Sequence, residues 1–342
     1  MNKSVVIIAE AGVNHNGDLD KALALVNAAA EAGADYVKFQ TFKAEKIVSP
    51  QAKKAEYQKK SMQGEENTQF GMLQKLEMDD HWYPVLIEKC AEKGIKFLST
   101  GFDEDSIEFL DSLNIPFFKI PSGELTNKPY LKAIASKGKN IILSTGMSYL
   151  TEIENALNIL EGEGIVRENI VVLHCNTEYP TPFEDVNLLA MNHIRDNLRV
   201  NVGYSDHTMG IEVAIAAVAL GAVVIEKHFT LDRSLPGPDH AASLEPSELK
   251  EMIKAIRKVE LALSGSGIKE PSISELKNVN AVRKSLHYFK DLPANHVITN
   301  FDLIALRPGS GISPMEIDNF IGRKLQRSVL GSTFVNLKDF YD

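Results

Sequence analysis

Residues 200–228 read VNVGYSDHTMGIEVAIAAVALGAVVIEKH, and this stretch indicates the fold of the whole chain. Two short apolar segments, residues 200–202 and 222–225, flank an alanine-rich segment of helical length at 211–220. The pattern is typical of a strand, a loop, a helix and a second strand that lies parallel to the first. A polar cluster follows each apolar segment, so we expect the two clusters to meet at one edge of the sheet.

Each polar cluster carries a histidine close to a carboxylate. Asp206 precedes His207 in the first cluster, and Glu226 comes shortly before His228 in the second. Two neutral imidazoles on neighbouring strand ends can hold one divalent ion, so His207 and His228 are candidate metal ligands. The alternative is that each one is a capped or core histidine, which is the commoner role of a histidine near a strand end.

The same strand–helix unit recurs along the rest of the chain. Apolar runs predict six further strands, at residues 5–9, 36–39, 96–99, 117–120, 141–143 and 170–173. Helices are predicted at 19–32, 79–93, 105–113, 129–136, 151–160, 186–194, 211–220 and 247–263. Eight strands, each followed by a helix, predict an α/β fold of the (β/α)8 TIM-barrel type. A doubly wound sheet is disfavoured because AGVNHNG, after the first strand, lacks the GxGxxG spacing.

The barrel pattern ends at about residue 263. Residues 264–274 read SGSGIKEPSIS and are typical of a linker. Short β-like segments with turn signals follow from residue 282, which indicates a second, small β-rich domain. The predicted organisation is a catalytic barrel at 1–263, a linker at 264–281 and the small domain at 282–342.

Composition excludes several classes of protein. The chain has 342 residues and a net charge of −9, which argues against nucleic-acid binding. No apolar run is long enough for a membrane span or a secretory signal, so we expect a soluble cytoplasmic protein without a membrane partner. The two cysteines, Cys90 and Cys175, lack metal-motif spacing and are expected to be reduced thiols.

The most informative residues are two lysines inside apolar strands, Lys38 and Lys119. An unpaired buried ammonium is costly, so each needs a partner. Ion pairs with Glu10 or Glu124 are one explanation. The other is a pocket for a phosphate- or carboxylate-bearing small molecule, because hydroxyl groups follow several predicted strands. These hydroxyl groups belong to Thr100, Ser122, Ser144 and Ser205.

The sequence resembles the sialic acid synthases, which condense phosphoenolpyruvate with an amino sugar. The resemblance covers nearly the whole chain, with many blocks in one order, and implies that the small domain is an antifreeze-like (SAF) domain. Within the family, the segments GVNHNGD (12–18) and AEYQKK (55–60) resemble those of bacterial legionaminic acid synthases most. N-acetylneuraminate synthases come next. The blocks are IIAEAGVNHNGD (7–18), VKFQTF (37–42), KIPSGE (119–124), ILSTGM (142–147), HC-x-x-EYPTP (174–182), GYSDHT (203–208), EKHFT (226–230), PGPDH (236–240) and RPGSGIS (307–313).

The resemblance implies roles for residues of this sequence. Arg307 would reach into the barrel of a partner subunit and contact the sugar's N-acyl group, which implies a domain-swapped homodimer. Mn²⁺ or Mg²⁺ would be held by His207 and His228. Phosphoenolpyruvate would lie among Lys38, Thr100, Lys119, Ser122, Ser144 and Ser205. An open-chain N-acylated amino sugar would be lined by Gln40, Glu124, Tyr179 and Asp239.

The implied reaction adds C3 of phosphoenolpyruvate to the sugar aldehyde, followed by addition of water at C2 and loss of phosphate. The catalytic candidates are Glu10, Lys119 and Glu124, and the roles of the two carboxylates stay open. The identity of the metal and that of the sugar also stay open. The sugar is either N-acetylmannosamine or its 2,4-diacetamido-2,4,6-trideoxy relative. Two other hypotheses are a Schiff-base pyruvate aldolase that uses Lys119 or Lys38 and a non-catalytic carbohydrate-binding protein.

Overall fold

Eight parallel strands form the framework of the larger part of the chain. A computed structural model describes residues 4–49, 51–52 and 68–341. The strands are β1 (Val6–Gly12), β2 (Tyr36–Thr41), β3 (Lys96–Gly101), β4 (Phe117–Ile120), β5 (Asn140–Ser144), β6 (Ile170–His174), β7 (Asn201–Asp206) and β8 (Val224–His228). They pair in the order β3-β2-β1-β8-β7-β6-β5-β4, and β3 lies beside β4 so that the barrel is nearly closed. The predicted (β/α)8 barrel is confirmed.

Helices connect the strands and bury their apolar faces against the outside of the barrel. Asp18 begins the first helix, because its Oδ1 accepts hydrogen bonds from the N–H groups of Asp20 at 2.9 Å and Lys21 at 3.2 Å. The helices of this unit are Leu19–Ala32, Ala44–Ile47, Gln69–Gln74, Trp82–Lys93, Glu104–Ser112, Lys128–Ala135, Leu150–Gly162, Ala190–Leu198, Glu212–Ala219 and Pro246–Ala262.

One helix was predicted wrongly at both ends. The helix expected at 186–194 begins at Ala190 and ends at Leu198. A short 3₁₀ turn, Phe183–Asp185, precedes it, and Asn187 has a φ of 44°, in the left-handed region. A right-handed helix cannot continue through such a residue, so the apolar side chains before it belong to a turn.

Strand periodicity decides what lies inside the barrel. Side chains alternate between the two faces of a strand, so every second residue points inward. A cluster of inward apolar residues fills the barrel interior: Ile8, Tyr36, Leu98, Phe117, Ile142, Leu173 and Val224. The residue two positions further along these strands is Glu10, Lys38, Thr100, Lys119, Ser144, Cys175 or Glu226. An apolar layer therefore supports a mostly polar layer at the carboxyl ends of the strands.

The strands also run further than the apolar segments indicated. The polar residues 204–206 belong to β7 and residues 226–228 belong to β8, although the sequence placed them after those strands. Register pairs Ser205 with Glu226 and Asp206 with Lys227. Four of the polar side chains at these strand ends pair inside the protein, because Ser205 donates to Glu226 and Asp206 forms an ion pair with Lys227.

The chain divides into two compact units, Met1–Ser264 and Gly265–Asp342. The second contains the antiparallel pair β9 (Ser285–Tyr288) and β10 (Leu303–Leu306), and a core of its own that includes Tyr288, Phe320 and Phe340. A helix, Ile273–Val282, occupies part of the stretch predicted as a linker. Among the described residues, no helix is long and apolar enough to cross a membrane.

Candidate active site

A cavity of about 580 Å³ opens at the carboxyl ends of the barrel strands. That volume suits a small-molecule site. All site residues that the sequence placed in the barrel line this cavity: Glu10, Lys38, Gln40, Thr100, Lys119, Ser122, Glu124, Ser144, Tyr179, Ser205, His207, His228 and Asp239. Arg307 lies in the second unit, is exposed, and donates from Nε to the Val282 carbonyl oxygen at 2.9 Å.

Two lysines and two carboxylates form a buried ionic cluster at the bottom of the cavity. Lys38 Nζ lies 2.7 Å from Glu10 Oε2 and 3.6 Å from Glu226 Oε2. Lys119 Nζ lies 3.3 Å from Glu226 Oε1. Glu226 therefore joins the two lysines. Glu124, which was expected as a possible ion-pair partner of a lysine, instead accepts a hydrogen bond from the Asn127 amide at 2.6 Å.

The cluster shares its charges unequally. Burial raises the pKa of Glu10 to about 7, and Lys38 opposes this shift only in part. Burial also raises the pKa of Glu226, but Lys119 and Lys38 outweigh it and hold that pKa below its usual range. Near neutral pH Glu226 is an anion and Glu10 is partly protonated. Burial lowers the pKa of Lys119, and Glu226 opposes this shift. A cluster of two lysines with one ionised and one partly protonated carboxylate favours an anionic substrate.

Hydroxyl groups surround this positive cluster. Thr100 Oγ1 accepts from Lys38 Nζ at 3.0 Å, and Ser205 Oγ donates to Glu226 Oε1 at 2.9 Å. Ser122 Oγ accepts the Gly146 N–H at 2.9 Å. The buried Ser144 Oγ has no hydrogen-bond partner within the described part of the chain. An unsatisfied hydroxyl in the cavity wall is available to a ligand.

The two candidate metal ligands lie side by side, His207 directly after β7 and His228 at the end of β8. Their ring centroids are 5.4 Å apart, and the Tyr179 ring stacks on His207 at 4.1 Å. Burial lowers the pKa of His207 to about 4 and that of His228 well below its usual value, so both are neutral near pH 7. His207 Nδ1 lies 2.5 Å from the Asn176 carbonyl oxygen, so Nε2 carries the lone pair; Ser205 Oγ lies 3.4 Å from this nitrogen.

The donor set fits a divalent ion only if water or substrate completes its shell. The buried His228 Nδ1 has no hydrogen-bond partner among the described residues, and Asp239 Oδ2 lies 3.9 Å from it. Those residues contain no group of three or more His, Cys, Asp or Glu side chains that could hold a metal. Two neutral imidazoles beside a carboxylate, one with an unsatisfied nitrogen, can nevertheless hold a divalent ion such as Mn²⁺ with water, whereas Mg²⁺ prefers oxygen ligands and fits this pair less well.

Three of the polar side chains converge on Gly12 at the end of β1. A Cβ placed there would lie 3.4 Å from Gln40 Nε2, 3.4 Å from Glu10 Oε1 and 3.5 Å from Asp239 Oδ2. Gly12 also has a φ of 53°, which favours glycine. Burial raises the pKa of Asp239 to about 6. The glycine lets these three side chains approach one point, although sequence reasoning assigned it no role.

Sequence reasoning also missed two parts of the site. The first is Glu226, which was noted near His228 but was not assigned a role. It is a charged residue within an apolar strand, and the same feature identified Lys38 as a candidate. The second is an apolar wall, which we define as Val13, Phe42, Ile47, Met72, Leu73, Leu76 and Phe102; these side chains pack together and line the cavity. Their sequence spacing gave no signal, because they come from four separate stretches.

Two expectations concerned loops near the site. The family resemblance also implies, weakly, that Asn176 or Thr177 contacts phosphoenolpyruvate. Thr177 lines the cavity, whereas the Asn176 amide donates to the Asp185 carbonyl oxygen at 2.8 Å. Segment 55–60, quoted for the family resemblance, lies outside the described residues.

Comparison with known proteins identifies the family. A profile of the NeuB family matches residues 25–269, and a SAF domain profile matches residues 283–330. The chain belongs to the NeuB family. The predicted resemblance to sialic acid synthases and the SAF fold of the small domain are thereby confirmed.

Individual relatives of this NeuB-family chain support the same family assignment. The chain is 54% identical to N,N′-diacetyllegionaminic acid synthase of Campylobacter jejuni, over 94% of this chain and 96% of that protein. It is 50% identical to the protein of the same name from Legionella pneumophila, over 96% and 92% of the two chains. A solved structure, N-acetylneuraminic acid (sialic acid) synthetase from Leptospira borgpetersenii in complex with citrate, matches with a TM-score of 0.72 and 34% identity. That match covers 81% of this chain and 91% of the other.

Proposed function

We propose that this chain is an N,N′-diacetyllegionaminic acid synthase. Its reaction class is that of a phosphoenolpyruvate-dependent nonulosonic acid synthase, a transferase that forms a carbon–carbon bond. The choice of sugar rests on the two relatives of that name, which are at least 50% identical over most of the chain. The observation that carries the proposal is the cavity, where two buried lysines and two neutral histidines lie within one small volume.

Phosphoenolpyruvate would bind at the bottom of this cavity. Lys38 and Lys119 would pair with its phosphate and carboxylate, and burial strengthens such pairing because water does not screen it. Their positions are set by Glu226, which keeps both ammonium groups on one side of the site. Hydroxyl donors would complete the anion's hydrogen bonds; these are Thr100, Ser122, Ser144 and Ser205.

His207 and His228 would hold Mn²⁺ or Mg²⁺, with water and the sugar as further ligands. Metal dependence is general among NeuB-family synthases, and it supports this assignment. When bound, such an ion polarises an aldehyde oxygen as a Lewis acid. Residues around the histidines would orient the open-chain sugar; the candidates are Gln40, Glu124, Tyr179 and Asp239.

The reaction requires proton transfer as well as charge stabilisation. C3 of phosphoenolpyruvate bonds to the aldehyde carbon, water adds at C2, and phosphate leaves as the C2–O bond breaks. The negative charges of the phosphate and the carboxylate would lie beside the lysines, which would stabilise them throughout. Glu10, with a pKa of about 7, can take or give a proton near neutral pH, so we assign it to the water that attacks C2. Glu124 is the other candidate.

The protein would act as a domain-swapped homodimer. Arg307 is exposed on the SAF domain and would contact the sugar's N-acyl group in the partner's barrel. Exposed apolar side chains in the loops after β5 and β6 support a covered barrel mouth, since Met147 is 73% exposed and Phe183 is 58% exposed.

The test is phosphate release from phosphoenolpyruvate with Mn²⁺, measured separately with each sugar. Faster release with the 2,4-diacetamido-2,4,6-trideoxy sugar than with N-acetylmannosamine is expected. The opposite preference would make the chain an N-acetylneuraminate synthase and overturn the proposed substrate. Borohydride with free pyruvate should trap no adduct on Lys119 or Lys38, and an adduct would support the aldolase alternative instead.

A further inference from the structure

The cavity has two chemically different sides. Its floor consists of charged and hydroxyl-bearing side chains at the strand ends. The apolar wall lies on the side of β1, β2 and β3, because its members follow those strands in the chain. Three of its side chains, Ile47, Leu73 and Phe102, are only half-buried, so they offer apolar surface to whatever fills the cavity.

Ring packing and hydrogen bonds stabilise the apolar wall. The Phe42 and Phe102 rings meet edge to face with centroids 6.1 Å apart. The backbone N–H of Ala44 donates to Glu77 Oε1 at 2.7 Å, and Thr68 caps the helix Gln69–Gln74 by accepting from the Gly71 N–H at 3.2 Å. The bond to Glu77 and the packing of Ile47 and Leu73 with the other members of the wall hold the two short helices against each other.

We propose that the apolar wall selects the sugar by its methyl groups. This inference rests on the proposed function and specifies its substrate. An aldehyde carbon near His207 and His228 places the opposite end of an open-chain sugar away from the polar floor. The wall offers that end no charged side chain, so a C6 methyl and the acetyl methyl at C4 would gain by burial against it.

The same surface disfavours the competing sugar. N-acetylmannosamine carries hydroxyl groups at C4 and C6, and a hydroxyl group pressed against apolar side chains loses hydrogen bonds to water. One methyl group more or less in an apolar pocket changes specificity by about tenfold. Ile47, Leu73 and Phe102 are therefore specificity-determining residues, while the lysines and histidines serve both sugars equally.

The test measures kcat/KM for both sugars in Ile47→Asn and Leu73→Asn variants. Each variant should lower the ratio of kcat/KM for the diacetamido sugar over N-acetylmannosamine by about tenfold. The KM for phosphoenolpyruvate should stay unchanged, because the polar floor is intact. Ile87→Asn is the matched control: Ile87 is also half-buried but packs on the main barrel core, so its variant should keep the wild-type ratio.

The outcomes separate this inference from the proposed function. Wild-type turnover with an unchanged ratio in both wall variants would overturn the role of the wall and leave the synthase activity standing. An equal change in the Ile87→Asn control would also overturn it, because the effect would then come from general destabilisation. A folded, metal-loaded wild-type chain that releases phosphate with neither sugar would overturn both proposals.

Discussion

At the scale of single residues, Glu10 makes the stability of the fold depend on pH. Its pKa is raised from 4.5 to about 7, mainly by burial, so the folded chain holds a proton that the unfolded chain releases. As the pH rises from 4.5 to 7, this group progressively lowers the free energy of unfolding, and the loss is complete above the folded pKa. Below pH 4.5 the group is protonated in both states and makes no difference.

A Glu10→Gln variant should therefore gain stability relative to wild type between pH 4.5 and pH 7. Glutamine keeps the shape of the protonated carboxyl but cannot ionise. Urea unfolding at several pH values gives the difference in free energy of unfolding between the two proteins. A difference that stays constant across this range would show that Glu10 titrates normally in the fold.

The two histidines allow a prediction about metal binding that does not need turnover. Calorimetric titration of Mn²⁺ into the full chain should show an affinity at least about tenfold weaker in His207→Gln and in His228→Gln. His193 is exposed on the helix Ala190–Leu198, so His193→Gln should bind Mn²⁺ as wild type does. Unchanged binding in both cavity variants would remove the histidines from the metal site.

At the scale of strands, β7 and β8 are joined by an ion pair that lies behind the site. Asp206 and Lys227 are fully buried, and their charged groups are 2.9 Å apart. Lys227 Nζ also donates to the Thr208 carbonyl oxygen at 2.6 Å. Each member immediately precedes a candidate metal ligand, so the pair fixes the relative positions of His207 and His228.

Removal of one member should be costly. Asp206→Asn leaves a buried ammonium without its anion and should lower the free energy of unfolding by about 3–5 kcal/mol. Lys132→Met is the control, because Lys132 pairs with Glu163 at the surface and such pairs contribute about 1 kcal/mol or less. Denaturant unfolding measures both. Similar losses of unfolding free energy in the two variants would show that the buried Asp206–Lys227 ion pair does not join the two strands more strongly than a surface pair.

The elements that could be predicted from the sequence are those whose signal is local. Runs of apolar residues located all eight barrel strands, because a strand buried on both faces is apolar throughout. The ends of the strands could not be found this way: β8 continues through Glu226, whose side-chain partners lie on β2, β4 and β7. Lys38 was recognised as an anomaly, yet its bond to Glu226 joins strands that are far apart in sequence. The apolar wall was missed for the same reason.

At the scale of the whole molecule, the proposed domain swap makes each active site depend on two chains. Arg307→Ala should raise the KM for the sugar and leave that for phosphoenolpyruvate nearly unchanged, since the guanidinium would contact only the N-acyl group. Steady-state kinetics with each substrate varied in turn measures both constants. Equal increases in the two would argue against this role for Arg307.

Mixed dimers test the swap itself. Co-expression of an Arg307→Ala chain with a Lys38→Ala chain yields heterodimers in which one barrel combines an intact Lys38 with an intact Arg307 from its partner. Part of the activity should therefore return, although each variant alone is impaired. A Lys38→Ala chain mixed with a Lys119→Ala chain is the control, because both changes damage the barrel and no heterodimer contains an intact site. If Arg307 instead served the barrel of its own chain, a heterodimer would again contain no intact site, and the Arg307→Ala mixture would recover no more activity than this control.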